Sequence, residues 1–140
     1  MSDNRTKLQR SYNMSCIRSM NTKPEILVRK FLFSNGFHYR LHLKDLPGKP
    51  DIVIRKLKSV VFVHGCFWHG HKNCKNAKVP LTNKNFWVNK ITSNSTRDKK
   101  SIRLLMNEGW KVFVVWECQL HQKKVDKTLE KLLQNLLRKN

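Results

Sequence analysis

The chain has 140 residues, the length of one ordinary domain, and 39% of them are hydrophobic, which is enough for one buried core. Its 29 Lys and Arg against 9 Asp and Glu give a formal net charge of +20. This composition excludes disorder throughout, and no run reaches the roughly 18 consecutive apolar residues of a membrane span. The start, M-S-D-N-R-T-K-L-Q-R, lacks the apolar segment of a secretory signal, so we expect a soluble intracellular protein. The charge favours nucleic acid as the partner, with a solubility-promoting surface as the alternative.

The first predicted elements are a basic arm and a helix. Residues 1–21 are polar and basic, which is typical of an arm that becomes ordered on its ligand. Thr22 is then expected to cap a helix that ends near Asn35 and Gly36. Glu25 stands three residues after Thr22, where a capping-box partner would explain it without any chemistry.

Three apolar runs in the middle of the chain predict strands. Residues 37–43 alternate apolar with polar side chains, which indicates a half-buried strand. After a turn-rich segment, residues 52–54 and 60–63 predict a hairpin of two buried strands. Residues 110–116 predict a further apolar strand.

Two helices complete the prediction. We expect one helical region from about residue 83 to 108, which the polar stretch from Ser93 to Thr96 could interrupt. Residues 121–140 carry a leucine stripe at helical spacing, so they predict an amphipathic helix that packs on the domain formed by residues 22–120. The fold class is therefore α/β, with a mixed central β-sheet flanked by helices.

Asp51 is the acidic residue that is most difficult to explain without chemistry. Antiparallel pairing about Leu57 would put Asp51 opposite Val63, so that a carboxylate, a backbone carbonyl and the imidazole of His64 converge. Such a cluster suits phosphodiester hydrolysis with Mg²⁺, and His64 and His69 would titrate near neutral pH and share the proton transfers. The alternatives are a turn-capping role for Asp51 and a structural or zinc-bound His69.

The spacing of four residues predicts a structural zinc site. Cys66, His71, Cys74 and Cys118 offer three thiolates and one imidazole, the ligands of a closed tetrahedral site that leaves no position for water. Buried free thiols are the alternative, and His69 could replace His71 as the ligand.

Large aromatic residues within basic segments suggest contact with bases. Phe67 and Trp68 lie inside the predicted metal-bound loop, and Trp87 opens the helical region that also carries Lys90. Exposed aromatics beside cations favour base stacking or a wedge, whereas burial in the core is the alternative.

These segments together resemble the very-short-patch mismatch repair endonucleases, the Vsr family. The resemblance rests on T-K-P-E, R-L-H-L-K-D-L-P-G-K-P-D-I-V, V-V-F-V-H-G-C-F-W-H-G-H, F-W-V-N-K-I with R-D further on, and W-K-V-F-V-V-W-E-C, in matching order over about residues 10 to 120. It implies a fold similar to type II restriction endonucleases and Mg²⁺-dependent nicking of one strand on the 5′ side of the T in a T:G mismatch. Such mismatches arise when 5-methylcytosine is deaminated.

The resemblance also implies roles for individual residues. Asp51 would be the Mg²⁺ carboxylate, Glu25 a further active-site residue, and His64 and His69 the acid and base. The zinc ligands would be Cys66, His71, Cys74 and Cys118, while the residues at the DNA would be Phe67, Trp68, Trp87, Lys90, Asn94, and Met14 and Ile17 of the arm.

Two departures from the family pattern and two rival functions belong to this prediction. Val63 stands where some members carry Thr, so it would reach Mg²⁺ by its backbone carbonyl, and the His71 to Cys74 spacing is one residue longer than in some relatives. The rivals are a restriction-type or structure-specific endonuclease and a non-catalytic zinc-bound nucleic-acid binding module. We further expect a monomer in the bacterial cytoplasm, at the nucleoid when bound to DNA, with links to a DNA cytosine-5 methyltransferase and to mismatch-repair proteins and none to a membrane.

Overall fold

A computed structural model describes residues 21–138, which form four strands and three longer helices. In chain order these are α1 (Lys23–Ser34), β1 (Arg40–Leu41), β2 (Ile52–Ile54), β3 (Ser59–His64), α2 (Lys84–Asn107), β4 (Lys111–Trp116) and α3 (Val125–Leu137). Short 3₁₀ turns follow β2, the 65–74 loop and β4.

The strands form one mixed sheet in the order β1-β2-β3-β4. The pairs β1–β2 and β2–β3 are antiparallel, and β3–β4 is parallel. Parallel neighbours need a long crossover connection, and α2 with its flanking loops supplies it. The predicted α/β class with a mixed central sheet and flanking helices is confirmed.

Helices cover both faces of the sheet because its strands are apolar on both sides. Helices α1 and α3 pack on one face of the sheet. The buried residues of this layer are Val28, Leu32, Ile52, Ile54, Val61, Val115, Leu129, Leu132 and Leu136. Helix α2 packs on the other face, where the buried residues are Val53, Val60, Phe62 and Leu105. The leucines of residues 129–136 are thus core residues of the first layer.

The strand predicted over residues 37–43 is shorter than expected, because the structure has only Arg40–Leu41 as a strand. His42 has a φ of 50°, in the left-handed region that interrupts extended backbone. Phe37, Tyr39 and Leu41 pack on one face of the sheet, whereas Leu43 packs on the other. The predicted alternation of apolar and polar side chains therefore holds up to His42, and after His42 the apolar side chains pack on the opposite face of the sheet.

The hairpin of β2 and β3 exists, but its predicted register is wrong by one residue. Ile52 pairs with Val61 and Ile54 with Ser59, so the register continues to put Asp51 opposite Phe62 rather than Val63. The cause is the connection: a 3₁₀ turn over Arg55–Leu57 and a left-handed Lys58 make a four-residue loop with no central residue.

Helix α2 runs without a break through Ser93 to Thr96. Its buried residues are Ile91, Asn94, Ser101 and Leu105, at spacings of three, seven and four residues that place them on one helical face. Two of the four are polar, which is why the apolar pattern alone suggests a break.

The predicted ends of α1 are confirmed. Thr22 caps the helix by accepting a hydrogen bond from the Glu25 N–H at 3.4 Å, and Asn35 follows the last residue. The Glu25 side chain does not close a capping box with Thr22, because its contacts lie elsewhere. Over residues 21–138 no helix is both long and apolar enough to cross a membrane.

Candidate active site

The residues that suggested chemistry gather where the parallel strands end. β3 ends at His64 and β4 at Trp116, and these two residues are direct neighbours in the sheet. In sheets of this kind the carboxyl ends of parallel strands are the usual place for ligands. The 65–74 loop and the turn at residues 117–120 start from this edge.

Asp51 opens β2 beside this edge and points to β3. Its Oδ2 accepts a hydrogen bond from the Val63 N–H at 2.7 Å, so carboxylate and Val63 backbone do meet although the register differs. Burial is the main cause that raises the pKa of Asp51 to about 6. The hydrogen bond from the Val63 N–H lowers this pKa, the negative charge of Glu25 raises it further, and the charges of His42 and His69 lower it. A cation at this carboxylate would offset the desolvation.

Glu25 lies next to Asp51 and is completely covered, at 1% exposure. Its carboxylate contacts His42 Nε2 at 2.9 Å from both oxygens, accepts from Arg29 Nη1 at 2.9 Å, and accepts from the Asn21 N–H at 3.2 Å. Glu25, His42 and Asp51 have ligand atoms within 4.8 Å of one another, and we call them the Asp51 cluster.

His64, His69 and Asp98 form a second group, which we call the histidine cluster, with ligand atoms within 4.8 Å of one another. Nδ1 of His69 lies 2.5 Å from Oδ2 of Asp98, a residue on α2. The rings of His64 and His69 are stacked, with centroids 3.9 Å apart and planes 5° from parallel. One histidine is thus fixed by a carboxylate and by a second imidazole.

His64 does not titrate near neutral pH, and this expectation is wrong. Burial, followed by repulsion from His69, lowers the pKa of His64 to about 4 despite the opposing charge of Asp98. Its exposure is 5%, and among the described residues its Nδ1 has no hydrogen-bond partner. His64 is therefore neutral at pH 7.

The structure brings the four predicted zinc ligands together. Cys66, His71, Cys74 and Cys118 have ligand atoms within 4.8 Å of one another, so the cluster can bind a metal such as zinc. The Cys118 N–H donates to Cys66 Sγ at 3.4 Å, and Cys118 Sγ lies 3.5 Å from His71 Nδ1. His69 contacts Asp98 instead, so the histidine that lies among the cysteines is His71.

Three aromatic side chains form a group beside the histidine cluster. Phe67, Trp68 and Trp87 contact one another edge to face, at centroid distances between 5.3 and 5.7 Å. All three are half-buried rather than part of either core layer. We call them the aromatic trio.

The remaining predicted DNA residues differ in their surroundings. Lys90 is exposed on α2, three residues after Trp87. Asn94 is 5% exposed, and its amide donates to the Trp68 carbonyl at 3.1 Å, so it holds the loop rather than facing solvent. Met14 and Ile17 lie outside the described residues.

Sequence reasoning missed Asp98 and His42 as parts of the site. In the sequence, Asp98 suggests no more than support for the start of a helical segment, yet it lies four residues after Asn94 and three before Ser101, on the buried face of α2. This spacing would have indicated Asp98 as a site residue if the segment had been predicted as one continuous helix. His42 appeared only as the polar side of a strand, and no local pattern reveals its left-handed backbone.

The chain is similar to known DNA endonucleases along most of its length. Residues 2–76 match the family model described as DNA mismatch endonuclease Vsr. A type II nicking enzyme of Neisseria meningitidis, V.NmeAIP, is 52% identical over 125 residues, 89% of each chain. Another from Xanthomonas oryzae, V.XorIIP, is 48% identical over 86% of this chain and 88% of its own length. The DNA mismatch endonuclease Vsr of Escherichia coli is 40% identical over 96% of this chain and 86% of its own length.

Proposed function

This chain belongs to the Vsr family of DNA mismatch endonucleases, whose fold is restriction endonuclease-like, and from this membership we propose that it nicks one DNA strand on the 5′ side of the T in a T:G mismatch. The observation that carries the proposal is the meeting of the Asp51 cluster, the histidine cluster and the aromatic trio at one edge of the sheet. A hydrolytic centre and a group able to stack on bases are then neighbours.

Asp51 and the Val63 carbonyl are proposed to hold Mg²⁺. One carboxylate and one carbonyl, with water and phosphate oxygens, are the donors that Mg²⁺ prefers. Bound there, Mg²⁺ supplies Lewis-acid stabilisation of the phosphate charge. The Val63 N–H donates to Asp51 Oδ2 at 2.7 Å and so fixes its rotamer, and the buried Glu25 is the second carboxylate of the cluster.

His69 is proposed as the general base, and Asp98 as the residue that positions it. With Nδ1 of His69 held at 2.5 Å by Asp98, the ring carries its hydrogen on Nδ1 and presents Nε2 as an acceptor for a proton from water. His64 remains neutral and stacks on His69, so it restricts the rotation of that ring.

Zinc is proposed at Cys66, His71, Cys74 and Cys118, in a structural role. The first three ligands lie in the loop that carries Trp68 and His69, and the fourth follows β4. A closed site of this kind ties the loop to the sheet edge and leaves no position for a reacting water.

DNA contacts are proposed for the aromatic trio, Lys90 and the arm with Met14 and Ile17. An aromatic wedge requires unstacking of a base step, and a mismatched step costs less to open than a paired one. Asn94 acts through Trp68, whose carbonyl it holds at 3.1 Å. We also propose a monomer in the bacterial cytoplasm, at the nucleoid when bound to DNA, with mismatch-repair proteins and a DNA cytosine-5 methyltransferase as functional partners.

A nicking assay with Mg²⁺ on two labelled duplexes tests this function. The duplexes differ only in a T:G or a C:G pair at a cytosine-methylation site, and Asp51→Ala is assayed beside the unaltered chain. A nick confined to the T strand of the mismatched duplex and lost in Asp51→Ala is the expected result. Cleavage of both duplexes would favour a restriction-type or structure-specific endonuclease, and binding without cleavage a zinc-bound binding module.

A further inference from the structure

His42 lies at the junction of the segments that carry the buried Glu25 and the half-buried Asp51. Its backbone N–H donates to the Asp51 carbonyl at 3.2 Å. Its side chain places Nε2 2.9 Å from each Glu25 oxygen. One residue thus contacts Glu25 of α1 by its imidazole and the start of β2 by its backbone.

The backbone of His42 is strained in a way that serves this contact. A φ of 50° is unfavourable for a residue other than glycine and persists only where the surroundings impose it. This left-handed backbone ends β1 at Leu41, and the apolar side chains that follow pack on the opposite face of the sheet. Strained residues of this kind are concentrated at functional sites.

His42 orients Glu25 because its imidazole is the side-chain contact that both carboxylate oxygens share. At 1% exposure Glu25 has no access to water, and Arg29 and the Asn21 N–H supply its other contacts. Without the imidazole, Oε1 would keep only the Asn21 N–H and Oε2 only Arg29 Nη1, and the contact that spans both oxygens would be lost, so the side chain would turn or admit water. Because Glu25 and Asp51 have ligand atoms within 4.8 Å of each other, such a movement reaches Asp51 directly.

We propose that His42 is a positioning residue for the divalent-cation site at Asp51, acting through its contacts to Glu25 and to the Asp51 backbone. The proposal rests on the proposed function, in which Asp51 holds Mg²⁺. Residues that orient metal ligands typically change metal affinity by about 10- to 100-fold when they are replaced. His42 therefore sets how tightly the cation binds, and it takes no part in proton transfer to the substrate.

The test measures binding of Mn²⁺, as a spectroscopic substitute for Mg²⁺, to the full zinc-loaded chain by electron paramagnetic resonance without DNA. His42→Asn is the first variant, since Asn tolerates positive φ but cannot place a nitrogen where Nε2 lies. His42→Gly is the second, since glycine adopts this backbone without strain. The exposed His38 supplies the matched control, His38→Asn.

We expect both variants at residue 42 to weaken Mn²⁺ binding by about 10- to 100-fold, while His38→Asn binds as the unaltered chain does. The Mg²⁺ concentration for half-maximal nicking should rise by the same factor, with kcat recovered at saturating Mg²⁺. Urea unfolding of each variant identifies any loss that is only structural. Unchanged Mn²⁺ affinity in either folded variant would overturn the proposal.

Asp51→Asn separates this proposal from the proposed function. If Asp51→Asn loses Mn²⁺ binding and the variants at residue 42 do not, the positioning role of His42 fails alone. If Asp51→Asn binds Mn²⁺ and nicks as the unaltered chain does, the assignment of the cation to Asp51 fails, and the proposal for His42 fails with it.

Discussion

Replacing Asp98 with Asn should slow the nick far more than it weakens DNA binding. The change keeps the size of the side chain but removes the charge that accepts the hydrogen bond of His69 Nδ1 at 2.5 Å. A hydrogen bond to a charged group contributes about 1.5 to 3 kcal/mol. The two side chains are 24% and 26% exposed, so water weakens the interaction and the lower part of that range, about 1.5 to 2 kcal/mol, applies. At 1.36 kcal/mol per tenfold, the rate should fall by about 10- to 30-fold.

Single-turnover nicking with enzyme in excess measures this rate without product release. Asp126→Asn is the matched control, because Asp126 is an exposed aspartate in the first turn of α3. Binding of the mismatched duplex should stay within about twofold, or about 0.4 kcal/mol, in both variants, because neither aspartate is among the residues proposed to contact DNA. An unchanged rate in Asp98→Asn would refute the positioning of His69 by Asp98, and an equal fall in the control would show that the effect is not local.

Three other perturbations test separate parts of the site. Metal analysis should give about one zinc per chain, and chelation or Cys118→Ser should unfold the 65–74 loop with loss of activity; a zinc-free chain that stays folded and active would contradict the structural role. Trp68→Ala should weaken binding to the mismatched duplex by about 1 to 3 kcal/mol in a titration and affect the matched duplex less, and equal losses would contradict a wedge. Gly70→Ala should lower the free energy of unfolding by about 1 to 3 kcal/mol in urea, since the added Cβ would lie 2.8 Å from Ile91 Cγ2 at a φ of 62°; unchanged stability would show that the loop shifts freely.

The architecture could be predicted from the sequence because local pattern and burial agree in most of it. Both buried strands of the hairpin, the strand before Trp116 and the leucines of residues 129–136 are continuous or regularly spaced apolar runs. The grouping of Cys66, His71 and Cys74 was predictable for a different reason, since thiol and imidazole ligands at short spacing form a local signal, and Cys118 joins them because it directly follows β4.

The parts that sequence did not predict depend on contacts between distant segments. The pairing of His69 with Asp98 spans 29 residues, and that of His42 with Glu25 spans 17. The low pKa of His64 depends on burial under a loop whose path no spacing describes. The register error at Asp51 came from a loop of even length, which has no residue at its centre.

The continuity of helix α2 affects which kinetic constant carries the discrimination between mismatched and correctly paired duplexes. Trp87 of the aromatic trio and Asp98 of the histidine cluster lie eleven residues apart on this unbroken helix, about 16 Å at 1.5 Å per residue, with Asn94 holding Trp68 between them. A rigid helix transmits displacement from one end to the other, so insertion of the proposed aromatic wedge and alignment of His69, the proposed general base, would be thermodynamically linked. A correctly paired duplex that does not admit the aromatic group should then react slowly even when it is bound, and discrimination should appear in kcat as well as in affinity.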